Sequence, residues 1–214
     1  MELYEWLIIV FSVSAAIVLA IFLYHPLRRL ITKKHTVRVY YKTVYKVAKY
    51  GDYYLINNLI LELDATSQAH VDHILFADKY IYVISDVYLQ GEISGLAQDE
   101  KWLYLKGKKR KQKKYVIDNL LIENRQRLEK VALVTNLDPD LFISILLVND
   151  EVNPFKIENT SKMDYIVRRK DLYQLILSIE KRLVSPLAEK ELSQAVLDID
   201  ALNLRKKSKK GKKK

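Results

Sequence analysis

The residues best suited to chemistry lie within residues 71–91, which predict two strands joined by a tight turn. Asp72 lies on the first strand, and the second strand ends at Ser85-Asp86-Val87. A carboxylate on one strand and Glu-x-Lys on the next can hold a divalent cation and position an attacking water. Here Ser85 and Val87 take the Glu and Lys positions, so the pattern predicts the frame of such a site without its chemistry.

Three acidic residues are candidates for a rearranged site: Asp72, Asp86 and Glu123 on a predicted helix. A lone Asp72 would hold a metal weakly, and we favour a structural carboxylate that accepts a bond from a neighbouring donor. Adjacent side chains on a regular strand point to opposite faces, so a site-facing Ser85 turns Asp86 away unless a bulge intervenes. We therefore expect no cofactor, with Mg²⁺ or Mn²⁺ required only if nuclease activity remains.

An uncharged apolar run at residues 7–23, bracketed by Trp6 and Tyr24, has about the length that crosses a bilayer. A cleaved signal peptide is the alternative, but Glu2 and Glu5 precede the run where a signal peptide is basic. The positive-inside rule then predicts a single-pass membrane protein with the N-terminus outside and the following domain in the cytoplasm. The basic residues on that side are Arg28, Arg29, Lys33, Lys34 and Arg38.

The net charge of +10 is concentrated in two segments. Residues 106–114 carry seven positive charges and residues 205–214 carry eight, so the remainder of the chain is acidic. Such patches attract nucleic-acid phosphates or anionic lipid headgroups. The chain has no cysteine, which excludes disulfides and cysteine-based zinc sites. The predicted phosphate or lipid contacts are Lys106, Lys108, Lys109, Arg110, Lys111, Lys113 and Lys114.

The order of predicted elements indicates an α/β fold, a mixed β-sheet flanked by helices, preceded by one N-terminal transmembrane helix. A helix over residues 115–135 and a central strand over residues 142–148 are the clearest elements. Ser185 as N-cap and Pro186 behind it predict the start of a last helix. The predicted segments are a membrane anchor (1–27), a basic juxtamembrane helix (28–50), the α/β domain (51–183), a C-terminal helix (184–204) and a disordered basic tail (205–214).

Four segments in the expected order resemble the nuclease-related (NERD) domain. They resemble its strand "vlnnl", its strand "iDhv", its segment "fvIExKnwkGxixG…W" and the "NPlxQN" start of its next helix. In this chain these are residues 53–61, residues 71–74, residues 82–84 with 91–95 and Trp102, and residues 118–125. The resemblance covers about residues 36–150 and implies a restriction-endonuclease-like fold and, where motifs are intact, divalent-metal-dependent cleavage of nucleic acid.

The departures from that pattern determine the expected function. Ser85, Val87 and Glu123 replace the Glu, Lys and Gln of the resembled motif, and Asp72 is retained. We expect a membrane-anchored cytoplasmic module that has lost catalysis and binds nucleic acid or an unknown protein partner, with anionic lipid at its basic segments. Two alternatives stay open: a degenerate metal nuclease using Asp72, Asp86 and Glu123, and a structural membrane-surface protein without nucleic-acid contact.

Overall fold

A computed structural model describes residues 3–64, 67–107, 112–152 and 156–204. The chain divides into two compact units, residues 1–39 and residues 40–214. Helix α1 (Leu3–Gly51) contributes to both units, and each unit is described by itself. The predicted tail at 205–214 and the predicted contacts Lys108, Lys109, Arg110 and Lys111 lie outside the described residues.

The first unit is helical, and its segment Trp6–Arg28 is long and apolar enough to cross a membrane. The mean hydropathy of that segment is 2.8, and none of its described side chains is buried within the protein. Large side chains such as Phe11 and Phe22 are exposed. A helix that is apolar on all sides and unburied is typical of a membrane span. This property confirms the predicted apolar N-terminal helix; length and composition leave its orientation a prediction.

The second unit contains a five-stranded mixed sheet in the order β1-β2-β3-β7-β9. The pairs β1–β2 and β2–β3 are antiparallel, whereas β3–β7 and β7–β9 are parallel. All seven residues of β7 are buried, because a central parallel strand is covered on both faces. The strands are β1 (Tyr54–Asp64), β2 (Ser67–Phe76), β3 (Ile81–Val87), β7 (Phe142–Val148) and β9 (Asp164–Arg168).

A second sheet has the order β6-β5-β4-β8, so the prediction of one sheet is extended to two. Strands β5 and β6 form an antiparallel hairpin, and β6 lies at the edge of the sheet. We call β5, β6 and the residues joining them the basic hairpin. The strands are β4 (Gly91–Leu96), β5 (Lys101–Lys106), β6 (Lys113–Asp118) and β8 (Ile157–Glu158).

Helices cover both faces of the five-stranded sheet. The C-terminal part of α1, with Tyr40 and Val44, and helix α3 (Leu172–Glu180) pack on one face. Helices α2 (Leu120–Thr135) and α4 (Glu189–Ala201) pack on the other face. The predicted α/β class with a mixed sheet flanked by helices is therefore confirmed.

Near the candidate site, the regular alternation of side chains between the two faces of the sheet is interrupted on both β1 and β2. Ile74 and Val71 are three residues apart, yet both pack in the core beneath α2, where a regular strand would separate them. On β1, Leu59 packs in the same core as the partly buried Ile56. Asn58 lies between them with a φ of 51°, a left-handed conformation that asparagine tolerates better than other non-glycine residues. Asp72 lies opposite Asn58, between the β1–β2 pairs Asn57–His73 and Leu59–Val71.

Gly95 explains the glycine–tryptophan spacing in β4 and β5. Its φ is 154°, and a Cβ atom there would lie 2.7 Å from Cδ1 of Trp102. The indole of Trp102 is buried and donates from Nε1 to the Leu96 carbonyl at 2.8 Å. Only glycine allows the tryptophan to pack directly on the backbone of β4.

Two predicted helix starts are wrong. Residues 115–118 belong to β6, because they pair with β5 in register, and α2 begins only at Leu120 behind its N-cap Asn119. Two of the predicted contact residues, Lys113 and Lys114, lie on the same strand. The last helix begins at Glu189 with Ala188 as N-cap, so Ser185 does not cap it.

Candidate functional site

The end of β3 and the start of α2 enclose a cavity of about 560 Å³ that brings several predicted residues together. Asp72, Ser85 and Asp86 line it from the strands, and Glu123 lines it from the helix. Two cations that the sequence analysis did not single out, Arg127 and Lys130, also line it.

Ser85 is an internal hydrogen-bonding residue. Its side chain is buried, and Oγ donates to Oδ1 of Asn124 at 2.6 Å. Oγ also accepts from Nη1 of Arg127 at 3.1 Å. Nη2 of the same guanidinium lies 3.4 Å from Oε2 of Glu123. Arg127 thus places a fixed positive charge between the serine and the candidate carboxylate of α2.

Asn124 is the centre of this polar network and is fully buried. Besides accepting from Ser85, its amide Nδ2 donates to Oγ of Ser144 at 2.8 Å and to the Val83 carbonyl at 3.2 Å. These contacts tie α2 to the central strands β3 and β7. A buried amide is stable only when its hydrogen-bonding groups are satisfied, as they are here.

Asp72 accepts a hydrogen bond from the backbone N–H of Asp86 at 3.0 Å through Oδ2. Its Oδ1 lies 3.7 Å from Nδ1 of His70, a half-exposed residue. A structural role for Asp72 predicts such a hydrogen bond from a neighbouring backbone donor.

The Asp86 side chain turns away from Ser85 and joins a second network. Its Oδ2 lies 3.0 Å from Nε2 of the buried His73, whose Nδ1 lies 2.6 Å from Oδ1 of Asn57. Burial raises the pKa of Asp86, His73 opposes that rise, and Asp72 adds to it. Strand alternation therefore gives Ser85 and Asp86 different side-chain partners, and Asp86 contacts the Asp72 carboxylate through its backbone N–H.

These donors do not fit a divalent cation. Mg²⁺ and Mn²⁺ prefer several oxygen ligands from carboxylates, carbonyls and water. Oδ2 of Asp86 is engaged by His73, whereas its Oδ1 is buried without a hydrogen-bond partner among the described residues. Glu123 pairs with Arg127, which brings a positive charge into the cavity. Within the described parts of the chain, no group of three or more His, Asp or Glu side chains is arranged to hold a metal ion.

The basic hairpin lies apart from this cavity in the second sheet. Lys106 and Lys113 are partners in the β5–β6 register, and Lys114 follows on the edge strand. All three side chains are exposed, together with Val116 on the same strand. The hairpin therefore presents a run of positive charge along an open sheet edge.

Asn124 and Arg127 were not predicted as site residues from the sequence. Arg125 is partly exposed and lies 3.6 Å from Asp164, whereas Asn124 is the buried residue. An available signal was the spacing of Asn124 to Leu121 and Leu128, which puts an amide on the apolar stripe.

Comparison with known proteins identifies the family of the chain. No curated protein and no solved structure matches the chain. The family model of the nuclease-related domain matches residues 36–149, more than half of the chain, including β1 to β7 and α2. The protein therefore belongs to the nuclease-related domain (NERD) family.

Proposed function

We propose that this NERD protein is a membrane-anchored module that binds nucleic acid and does not cleave it. The observation that carries the proposal is Ser85, a buried hydroxyl bonded to Asn124 and Arg127 where the NERD pattern has its metal-binding Glu. A hydroxyl held in this way supplies no carboxylate to a metal, and Val87 cannot position or activate a water.

The basic hairpin supports nucleic acid as the ligand. Its lysines on β5 and on the edge strand β6, Lys106, Lys113 and Lys114, are exposed to solvent. Lysines that contact phosphates release counterions, which provides affinity without a catalytic site. Because the fold belongs to a nuclease-related family, we favour the nucleic-acid backbone over anionic lipid as the source of those phosphates.

The experiment uses the full chain in detergent micelles with labelled DNA and RNA, in Mg²⁺, Mn²⁺ or chelator. We expect binding at low salt and intact nucleic acid in every condition. Replacing Lys113 and Lys114 by glutamine should reduce the slope of log affinity against log salt by about 1.8 for duplex DNA. The matched control replaces the exposed Lys181 and Lys190 by glutamine and should leave that slope unchanged.

Two results would contradict the proposal. Cleavage that disappears in Asp72→Ala would favour the degenerate nuclease. Absence of nucleic-acid binding, with stronger retention on anionic than on neutral vesicles, would favour the structural membrane-surface protein. Because the vesicles offer phosphates without bases, they separate the lipid and nucleic-acid sources of the same charge attraction.

The proposal includes the single-pass topology, with the N-terminus outside and the NERD domain in the cytoplasm. It is supported by the apolar segment Trp6–Arg28 and by the basic residues that follow it. We expect a tag at the N-terminus to be removed by protease added to intact cells, while a tag at the C-terminus survives until the cells are lysed. The opposite pattern would reverse the orientation.

A further inference from the structure

A cleft of about 470 Å³ lies where the end of α1 meets the start of α3. Its lining includes Lys46, Lys170, Arg169 and two tyrosines, Tyr50 and Tyr173. Among the described residues, none of those that line it carries a carboxylate. It differs in this respect from the cavity beside Ser85, which is on the α2 side of the sheet and includes Asp72 and Glu123.

The cationic wall of the cleft is partly fixed. Nη2 of Arg169 is 2.8 Å from Oδ2 of Asp150, and the guanidinium lies 5.4 Å from the centre of the Tyr40 ring. Oδ1 of Asp150 accepts from the backbone N–H of Lys170 at 3.0 Å. Because Asp150 balances Arg169, the exposed Lys46 and Lys170 give the cleft its excess positive charge.

The aromatic wall is unusually open to solvent. The Tyr50 side chain is 71% exposed although its ring contacts Tyr173, with centroids 6.0 Å apart and planes at 63°. Lys46 lies on the helix turn before Tyr50, so a cation and an aromatic ring stand four residues apart on α1. A planar ring stacked on Tyr50 would cover apolar surface that the fold leaves in water.

We propose that this cleft binds a nucleotide, with its phosphate at Lys46 and Lys170 and its base against Tyr50 and Tyr173. The absence of lining carboxylates favours an anion, and the paired rings favour a ligand with a planar aromatic group. A free mononucleotide and a residue of a single-stranded nucleic acid offer the same chemistry. The site is separate from the basic hairpin and does not depend on the proposed function.

The test is calorimetric titration of the full chain in detergent micelles with adenosine monophosphate, adenosine and inorganic phosphate. The monophosphate is expected to bind at least about tenfold more tightly than adenosine or phosphate, because only it engages both walls. Lys46→Ala with Lys170→Ala should weaken that binding about tenfold or more. The matched control, Lys181→Ala with Lys190→Ala, removes the same charge from exposed positions elsewhere and should bind as the wild type does.

The aromatic half of the proposal has its own pair of variants. Tyr50→Phe keeps the ring and should bind within about twofold of the wild type, whereas Tyr50→Leu should weaken binding about tenfold. Because Tyr50 is largely exposed, neither change is expected to disturb folding, and thermal unfolding of each variant checks this.

Competition distinguishes the two ligand sources. If a ten-nucleotide single strand displaces the monophosphate, the cleft serves nucleic acid; if only the monophosphate binds, it serves free nucleotide; both results support the site. The proposal is overturned if folded Lys46→Ala/Lys170→Ala binds the monophosphate as the wild type does, or if phosphate binds as tightly as the monophosphate. The Lys113/Lys114 variant should bind the monophosphate normally, which separates this test from that of the basic hairpin.

Discussion

Asn124→Ala is expected to lower the free energy of unfolding by about 3 kcal/mol, because it leaves several buried polar groups without partners. The wild-type amide contacts the hydroxyls of Ser85 and Ser144 and the Val83 carbonyl, all in the core between α2 and the sheet. Each buried group left unsatisfied costs about 1–3 kcal/mol. Urea unfolding of the full chain in micelles, followed by tryptophan fluorescence, measures the change.

Gln126→Ala is the control for this experiment. Gln126 lies two residues further along α2 and is exposed. Its replacement by alanine removes the same chemical group, a side-chain amide. Its change should stay within about 0.5 kcal/mol, as for most surface substitutions. A loss below about 1 kcal/mol for Asn124→Ala would show that the network does not hold α2 against β3 and β7.

Ser85→Glu combined with Arg127→Gln is expected to create a Mn²⁺ site that the wild type lacks. The first change adds a carboxylate to a cavity that Asp72, Asp86 and Glu123 already line, and the second removes the guanidinium that pairs with Glu123. A metal that binds only the folded state raises stability by about 2.7 kcal/mol at a hundredfold excess over its dissociation constant. Thermal unfolding with increasing Mn²⁺ should therefore shift upward in the double variant and stay constant in the wild type.

Two further variants decide whether carboxylates hold the metal. Ser85→Gln with Arg127→Gln has the same size without the new charge and should show no shift. Adding Asp72→Asn to the Glu variant should reduce the shift, since it removes one of the carboxylates that line the cavity. A wild-type shift as large as that of the double variant would contradict the role assigned to Arg127.

Several polar residues of the cavity form hydrogen bonds with other residues of the domain. Ser85 and Arg127 join β3 to α2, and His73 joins Asp86 to Asn57. The paired groups Glu123 and Arg127 gain little from a further ligand, because their existing contact must first be broken. The ligand contacts that we propose lie elsewhere, on the basic hairpin and in the cleft between α1 and α3.

The strands that frame the site were predictable because their signals are local. The apolar run at residues 142–148 gave the central strand β7, and the hairpin of β2 and β3 followed from two β-prone segments around Asp78. The prediction failed at residues 115–118, where pairing with β5 overrides the helical pattern. A short segment takes its conformation from its partner strand, and the sequence does not name that partner.

The sequence by itself determined the apolar N-terminal helix, the α/β class, the NERD resemblance and the replacement of the Glu and Lys positions by Ser85 and Val87. These depend on composition, periodicity and residue identity, which are properties of single segments. Only the tertiary structure decided that Asn124 and Arg127 meet Ser85 and that Asp86 turns to His73. Those contacts join elements up to about forty residues apart, so they depend on helix packing and strand register that no local pattern specifies.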